Sequence, residues 1–330
     1  MGEAILKALV TGATGFAGGA LCRRLITDGW EVFAFVRDSS STDNLEELGV
    51  RCIETDITSA SAVRETFPDV HVVFHLAAAY RAEHADHGEF WAVNVDATRN
   101  LLEESKRRKV TRFVHCSTVG VQGEIEDPPA DESYRYKPGD HYQESKLAGE
   151  KLALEYIAGG SPVVIVRPVG LYGPGDERFL KLFRPIAKGY FVMIGTGETL
   201  YHLTYIDDLV RGFVLAGTRP EAVGEIFTIA GEKYTTLNEL VDLIGAAVGR
   251  KRRRISVPLR PVMWAADICD RSFRFFGMSP PIYPRRVEFF ALDRAFSIEK
   301  ARKLLGYEPE IGLEEGLRRT AEWYRSQGIF

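Results

Sequence analysis

A chain of 330 residues that is 45% hydrophobic and 27% charged can bury a core for one large domain or two unequal ones. Its formal net charge of -4 and isoelectric point near 6.0 give no electrostatic reason for nucleic-acid binding. Four scattered cysteines (Cys22, Cys52, Cys116, Cys269), no Cys-x-x-Cys pair, no signal peptide and no run near the roughly 18 apolar residues of a membrane span point to a reduced, cytoplasmic protein without stable membrane insertion.

The first elements set the pattern. Ile5 to Val10 is an apolar run that predicts a buried strand, glycines follow at 12, 15 and 18, and Phe16 to Asp28 has helical spacing up to Gly29. Strand, glycine loop and helix in that order form a site for a dinucleotide pyrophosphate: the chain turns sharply, its backbone approaches the phosphates, and a helix N-terminus faces their charge. Gly12 would make the turn, Gly15 the close approach and Gly18 the helix packing, with Thr11, Thr14, Phe16 and Ala17 lining the loop. A second strand, Glu31 to Val36, ends at Arg37-Asp38-Ser39-Ser40-Ser41. Arg37 and the serines suit the extra phosphate of NADP, whereas Asp38 keeps NAD as the alternative. A third strand, Arg51 to Glu54, leads to Asp56 and Ile57, placed either to meet an adenine or, for Asp56, to cap a helix over Ser59 to Phe67.

Val70 to Leu76 reads as the fourth strand, and the small Ala77 and Ala78 after it let a ligand lie on the backbone. His87 to Arg108 has helical periodicity, and Arg112 to Cys116 is a fifth strand ending in Ser117-Thr118. After a polar loop from Glu124 to Gly139, Asp140 is a good N-cap, Gln143 completes a capping box, and the helix closes at Gly159-Gly160. Tyr142 and Lys146, four residues apart, share one face of it. Pro162 to Val166 is the sixth strand, running into Arg167-Pro168. Alternation of strand and helix predicts a doubly wound parallel sheet in an α/β fold.

Beyond Gly170 the alternation loosens. Helices are expected over Phe179 to Lys188, Ile206 to Ala216, Leu237 to Val248, Ile298 to Leu305 and Leu313 to Gln327, with strands at Phe191 to Ile194 and Ile226 to Ala230. Residues 1–170 would form the dinucleotide-binding core and 171–330 mainly a substrate-binding cap, with 206–230 returning to the core. The basic run Lys251 to Arg254 reads as a solvated turn, and Val262 to Met278 is aromatic but interrupted by charge. His71, His75, His84 and His87 have no carboxylate cluster at ligand spacing, so no metal site is expected.

With Tyr142-x-x-x-Lys146 and Thr11-Gly12-Ala13-Thr14-Gly15-Phe16-Ala17-Gly18 in place, the chain resembles the extended short-chain dehydrogenase/reductase superfamily, whose members include epimerases and dehydratases. His75-Leu76-Ala77-Ala78, Asn94-Val95-Asp96 and Arg167-Pro168-Val169-Gly170-Leu171-Tyr172-Gly173-Pro174 extend the likeness over nearly the whole chain. The resemblance implies a Rossmann-type sheet with a smaller mixed α/β cap, and Thr118, Tyr142 and Lys146 as catalytic residues. Leu76, Ala77, Ala78, Ser117 and Pro168 would join Tyr142 and Lys146 at the cofactor. It also implies a homodimer through helices 87–108 and 141–158. Physically, a phenol holds its proton too tightly for fast exchange at neutral pH, and an ammonium beside it favours the ionised form.

Sugar-nucleotide members carry a diphosphate-binding arginine where this chain has Tyr201, before Tyr205-Ile206-Asp207-Asp208-Leu209. That departure makes the chain look closer to the 3-beta-hydroxysteroid dehydrogenase and dihydroflavonol reductase-like branch. The expected function is NAD(P)-dependent interconversion of a secondary alcohol and a ketone on a largely apolar small molecule. Tyr80, Thr118 and Tyr201 are candidate substrate contacts. Arg178, Arg285 or Arg286 would supply a diphosphate contact in the alternative, a nucleotide-sugar 4-epimerase. A non-catalytic dinucleotide-binding interaction protein is a third reading, against which Thr118, Tyr142 and Lys146 speak.

Overall fold

The computed structural model describes residues 5–38, 40–80, 87–251, 255–275, 278 and 280–330, without the side chains of His87, Arg274 and Arg285. Ser39, His84, Arg252, Arg253, Arg254, Phe276 and those three side chains therefore lie outside the described residues.

Seven parallel strands form the central sheet: β1 (Lys7–Thr11), β2 (Glu31–Val36), β3 (Arg51–Glu54), β4 (Val72–His75), β5 (Arg112–Cys116), β6 (Val163–Pro168) and β7 (Ile226–Ile229). Their spatial order is β3-β2-β1-β4-β5-β6-β7. The chain winds outward from β1 to β3 and then restarts on the other side at β4. The crevice between β1 and β4, at their carboxyl ends, is where such sheets receive ligands.

Alternate residues of each strand enter opposite cores. Ala8 and Val10 of β1 pack with Leu21 and Leu25 of helix α1 (Phe16–Thr27) and, farther along the chain, with Leu209 and Phe213. Leu9 faces the other way, with Val63, Leu101, Leu102 and Leu152. Burial on both faces explains why the strands are continuous apolar runs rather than alternating ones. The flanking helices after α1 are α2 (Asp43–Glu47), α3 (Ala60–Thr66), α4 (His87–Trp91), α5 (Ala97–Arg107), α6 (His141–Ala158), α7 (Leu180–Ala187) and α8 (Ile206–Thr218).

The cap region adds α9 (Leu237–Val248), α10 (Leu259–Phe275), α11 (Pro284–Glu288), α12 (Glu299–Leu305) and α13 (Leu313–Ser326). Short strand pairs form outside the central sheet: Leu203–Tyr205 lies beside Gly170–Tyr172, and Leu200–Tyr201 beside Thr235–Thr236. Met193–Ile194 pairs with Ser256–Val257.

The structure corrects several expectations. The first strand begins at Lys7, leaving Ile5 and Leu6 exposed, and the strand expected at 191–194 holds only its last two residues. The single helix expected over 87–108 is broken by a π-helical turn, Ala92–Asp96, between α4 and α5. Helix α10 was not foreseen; its Pro261 is the third residue, in the first turn, where a missing N–H costs no helical hydrogen bond. Among the described residues, no helix is long and apolar enough to cross a membrane.

Candidate active site

The glycine loop joins β1 to α1. Gly12 has φ +71°, and a Cβ there would lie 2.7 Å from the Ala77 nitrogen, so the position requires glycine twice over. A Cβ on Gly18 would come within 2.1 Å of the Gly12 carbonyl oxygen, which lets α1 sit against the loop. A Cβ on Gly15 would meet only that same carbonyl, at 3.3 Å, leaving its outer side open to a ligand. Helix α1 starts with no side-chain cap and no acidic residue in its first turn. Its first amides are thus available to an anion, and the loop fits a pyrophosphate. Thr14 and Gly15 are exposed, while Ala17 is half-buried. Phe16 turns away beneath the guanidinium of Arg178, 5.5 Å from the ring centre.

Thr11 proves to be a brace. It is fully buried, 2.8 Å from Nδ1 of His75, and accepts the Ala77 amide at 3.1 Å. The other ring nitrogen of His75 meets Thr98 at 2.9 Å, and the Thr98 hydroxyl donates to the Asn94 carbonyl. Thr98 has one proton and uses it there, so Nε2 of His75 carries the hydrogen and Nδ1 accepts from Thr11. Burial, then the Lys146 charge, lowers His75 to about 3, which keeps the ring neutral as this chain of bonds requires. Asn94, in the π-helical turn, accepts from the Ala79 amide at 3.0 Å and donates to Ser145 at 2.9 Å. The segment Leu76, Ala77, Ala78 is thereby fixed from both sides, with Ala78 exposed at the crevice.

Beyond the carboxyl end of β2, Arg37 is exposed. Asp56 does not cap α3. Its carboxylate accepts from the amide and hydroxyl of Thr58, at 2.9 and 2.7 Å, and Ser59 is the cap. Asn100 of α5 donates to the carbonyls of Ile57 and Thr58, holding this turn in place.

Helix α6 carries Tyr142 and Lys146, the candidate reactive groups. Asp140 caps it through the Gln143 amide at 2.8 Å, while the Gln143 side chain accepts from Gly139, one residue short of a full capping box. Tyr142 is half-buried, in edge-to-face contact with Tyr80 at 5.0 Å and Phe90 at 6.4 Å. Lys146 is buried, and its ammonium donates to the Cys116 carbonyl at 2.6 Å, leaving two N–H groups. Burial pulls its pKa down, countered by Cys116 and Glu150. Thr118 accepts the Gly120 amide at 3.1 Å, which orients its hydroxyl and leaves its proton to donate.

Ser117 differs from expectation: it is buried, and its hydroxyl donates to Glu150 at 2.5 Å. Glu150 also receives Tyr136 at 2.9 Å and forms an ion pair with Arg167 at 2.6 Å in which both side chains are 0% exposed. Burial and then Glu150 push the Tyr136 phenol up to about 12, so it stays a donor. Sequence reasoning missed this cluster, although Glu150 lies four residues after Lys146 on the same helix. Pro168 is buried in β6.

The candidate substrate residues separate. Tyr80 joins Tyr142, but Tyr201 packs on Phe289 at 5.0 Å, and Arg286 donates to the Pro281 carbonyl at 2.7 Å beside the Tyr283 ring. Arg178 bonds Asp176 at 2.7 Å and lies over Phe16, on the glycine-loop side of the crevice.

Residues 8–230 match the model of the NAD dependent epimerase/dehydratase family. The chain belongs to that family. It is an NAD(P)-dependent enzyme of the extended short-chain dehydrogenase/reductase superfamily, with oxidoreductase or epimerase activity supported by its relatives. A 3 beta-hydroxysteroid dehydrogenase/Delta 5-->4-isomerase of Mycobacterium tuberculosis is 31% identical, over 99% of this chain and 94% of its own. A 2-alkyl-3-oxoalkanoate reductase of Stenotrophomonas maltophilia is 30% identical, over 95% and 98%. Among solved structures, UDP-glucuronic acid 4-epimerase of Bacillus cereus with UDP-glucuronic acid and NAD superposes with a TM-score of 0.75. It is 26% identical, over 98% of this chain and 100% of that one.

Proposed function

We propose that this family member interconverts a secondary alcohol and a ketone, with Tyr142 carrying the proton at the substrate oxygen. The observation that carries the reading is the start of α6. It presents Tyr142 half-buried on the helix face of Lys146, while Thr118 caps its own turn with its proton to spare. NAD(P), when bound, gives or takes the hydride. Thr118 hydrogen-bonds the substrate oxygen and fixes its approach to Tyr142. Lys146 adds a positive charge that favours the phenolate and grips a sugar hydroxyl with its remaining N–H groups. Gly12, Gly15 and Gly18 receive the pyrophosphate, and Arg37 takes the extra phosphate of NADP. A reduced, cytoplasmic homodimer through α4–α5 and α6 completes the proposal.

Two substrate classes divide the reading. The solved structures, among them an epimerase holding a UDP-sugar, back the nucleotide-sugar alternative better than the apolar one. The apolar reading draws support from Tyr80 and Phe90 around Tyr142, and from Tyr201 standing where that branch has its arginine. Panels of UDP-sugars and of hydroxysteroid or flavonoid-like alcohols separate them when NAD(P)H absorbance and product stereochemistry are followed together. Net cofactor turnover with an apolar alcohol is the expected outcome; inversion of a UDP-sugar without net NAD(P)H formation establishes the epimerase instead. In either assay Tyr142→Phe is expected to keep cofactor affinity and lose turnover at least about 100-fold, the lower range of general acid–base contributions. Near-normal turnover would reject Tyr142 as the proton carrier.

A further inference from the structure

Helix α10 has two apolar faces. Val262, Ala266 and Phe273 point toward the protein, with Ala266 fully buried. On the opposite side Trp264, Ile268 and Phe275 are 79%, 63% and 84% exposed. At about 100° per residue these three fall within about 40° of one another, a single stripe along the helix. Arg260 and Arg271 flank the same stripe, Arg271 held by Asp267 at 2.9 Å. The apolar surface continues past the helix start. Met193 donates its amide to the Ile255 carbonyl, which brings Val192 beside Ile255, and both are exposed, as is nearby Tyr190.

Charge follows the same segment. Residues 251–275 contain seven Lys or Arg and two Asp, a net charge of +5 in a chain whose total is -4. An anionic lipid surface uses both stripe and charge, because aromatic and aliphatic side chains enter the headgroup boundary while Lys and Arg pair with phosphates. We infer that α10 docks the protein, without crossing, on the surface of an anionic phospholipid bilayer. The inference does not depend on which substrate class the enzyme takes.

The test is co-sedimentation of the full chain with vesicles of phosphatidylcholine alone and of phosphatidylcholine mixed with phosphatidylglycerol. Binding is expected to the mixed vesicles, at least about tenfold weaker to the neutral ones, and to weaken as salt is added and counterions screen the headgroups. Trp264→Ser combined with Ile268→Ser and Phe275→Ser is expected to lower binding more than tenfold while leaving thermal midpoint and NAD(P) affinity unchanged. Should that variant fold poorly, Arg260→Glu with Arg271→Glu carries the test, with a several-fold loss confined to the anionic vesicles. Absence of binding to the mixed vesicles, or equal binding by the variants, overturns the inference. So does a change of oligomeric state on triple substitution without vesicles, which assigns the stripe to a second copy of the chain.

Discussion

Glu150 joins the reactive edge of the sheet to the loop that rims it. Its carboxylate receives Ser117 from the end of β5, Arg167 from β6 and Tyr136 from the loop. Arg167 in turn donates to the Glu132 carbonyl, and the Glu132 carboxylate accepts the Thr228 amide of β7. Glu150→Gln keeps the shape but leaves a guanidinium buried without its counter-charge. A loss of about 3–5 kcal/mol is expected in chemical denaturation, together with slower turnover as Thr118 drifts. A stability change below about 1 kcal/mol would mean that Arg167 finds another partner. Beyond β2, Arg37→Ala is expected to weaken NADP binding at least about tenfold more than NAD binding, since only NADP has the phosphate to lose. Calorimetric titration with both cofactors checks it, and equal losses remove Arg37 as a phosphate ligand.

At the scale of elements, the glycine loop admits no added atom at Gly12 or Gly18. Gly18→Ala places a methyl 2.1 Å from a backbone oxygen rather than against a movable side chain. The variant is expected to unfold at lower temperature and to lose most cofactor affinity, read together by thermal shift with and without NAD(P); unchanged affinity would show that α1 can retreat. This loop was legible because glycine spacing and apolar runs are local signals. The same holds for the Asp140 cap and for the Tyr142–Lys146 face. What sequence could not show arises from contacts between distant segments: the commitment of Thr11 to His75 and of Ser117 to Glu150, and the aromatic neighbours of Tyr142. The π-helical turn was invisible for a different reason. Residues 87–108 keep enough helical periodicity to mask one wider turn, yet that turn is what aims Asn94 at Ala79 and Ser145. Helix α10 is hard to read from sequence because its exposed apolar stripe blurs the amphipathic pattern that marks a helix on a core.

At the scale of the whole molecule, three buried histidines among the described residues link stability to acidity. His75 is lowered to about 3 and His202 to about 4, chiefly by burial, and His115, whose ring nitrogens have no hydrogen-bond partner, lies well below the usual range. Unfolded histidines take up protons below about pH 6.5, which the native rings refuse, so stability is full above that pH and lost as the pH falls. His75 and His202 each contribute about 2 kcal/mol of destabilisation at pH 5, and His115 acts in the same direction. The thermal midpoint is expected to hold between pH 7 and 8 and to drop steadily from pH 6.5 to 5; a flat profile would falsify the neutral assignment. The seven-strand order has a consequence for how the protein is made. Strand β6 finds its outer neighbour only in β7, which begins 58 residues after Pro168. At ~5–20 residues per second a ribosome takes roughly 3–12 s to cover that gap. During this interval the nascent chain presents an open strand edge that is apolar from Val163 to Val166, the kind of edge that pairs with neighbouring chains.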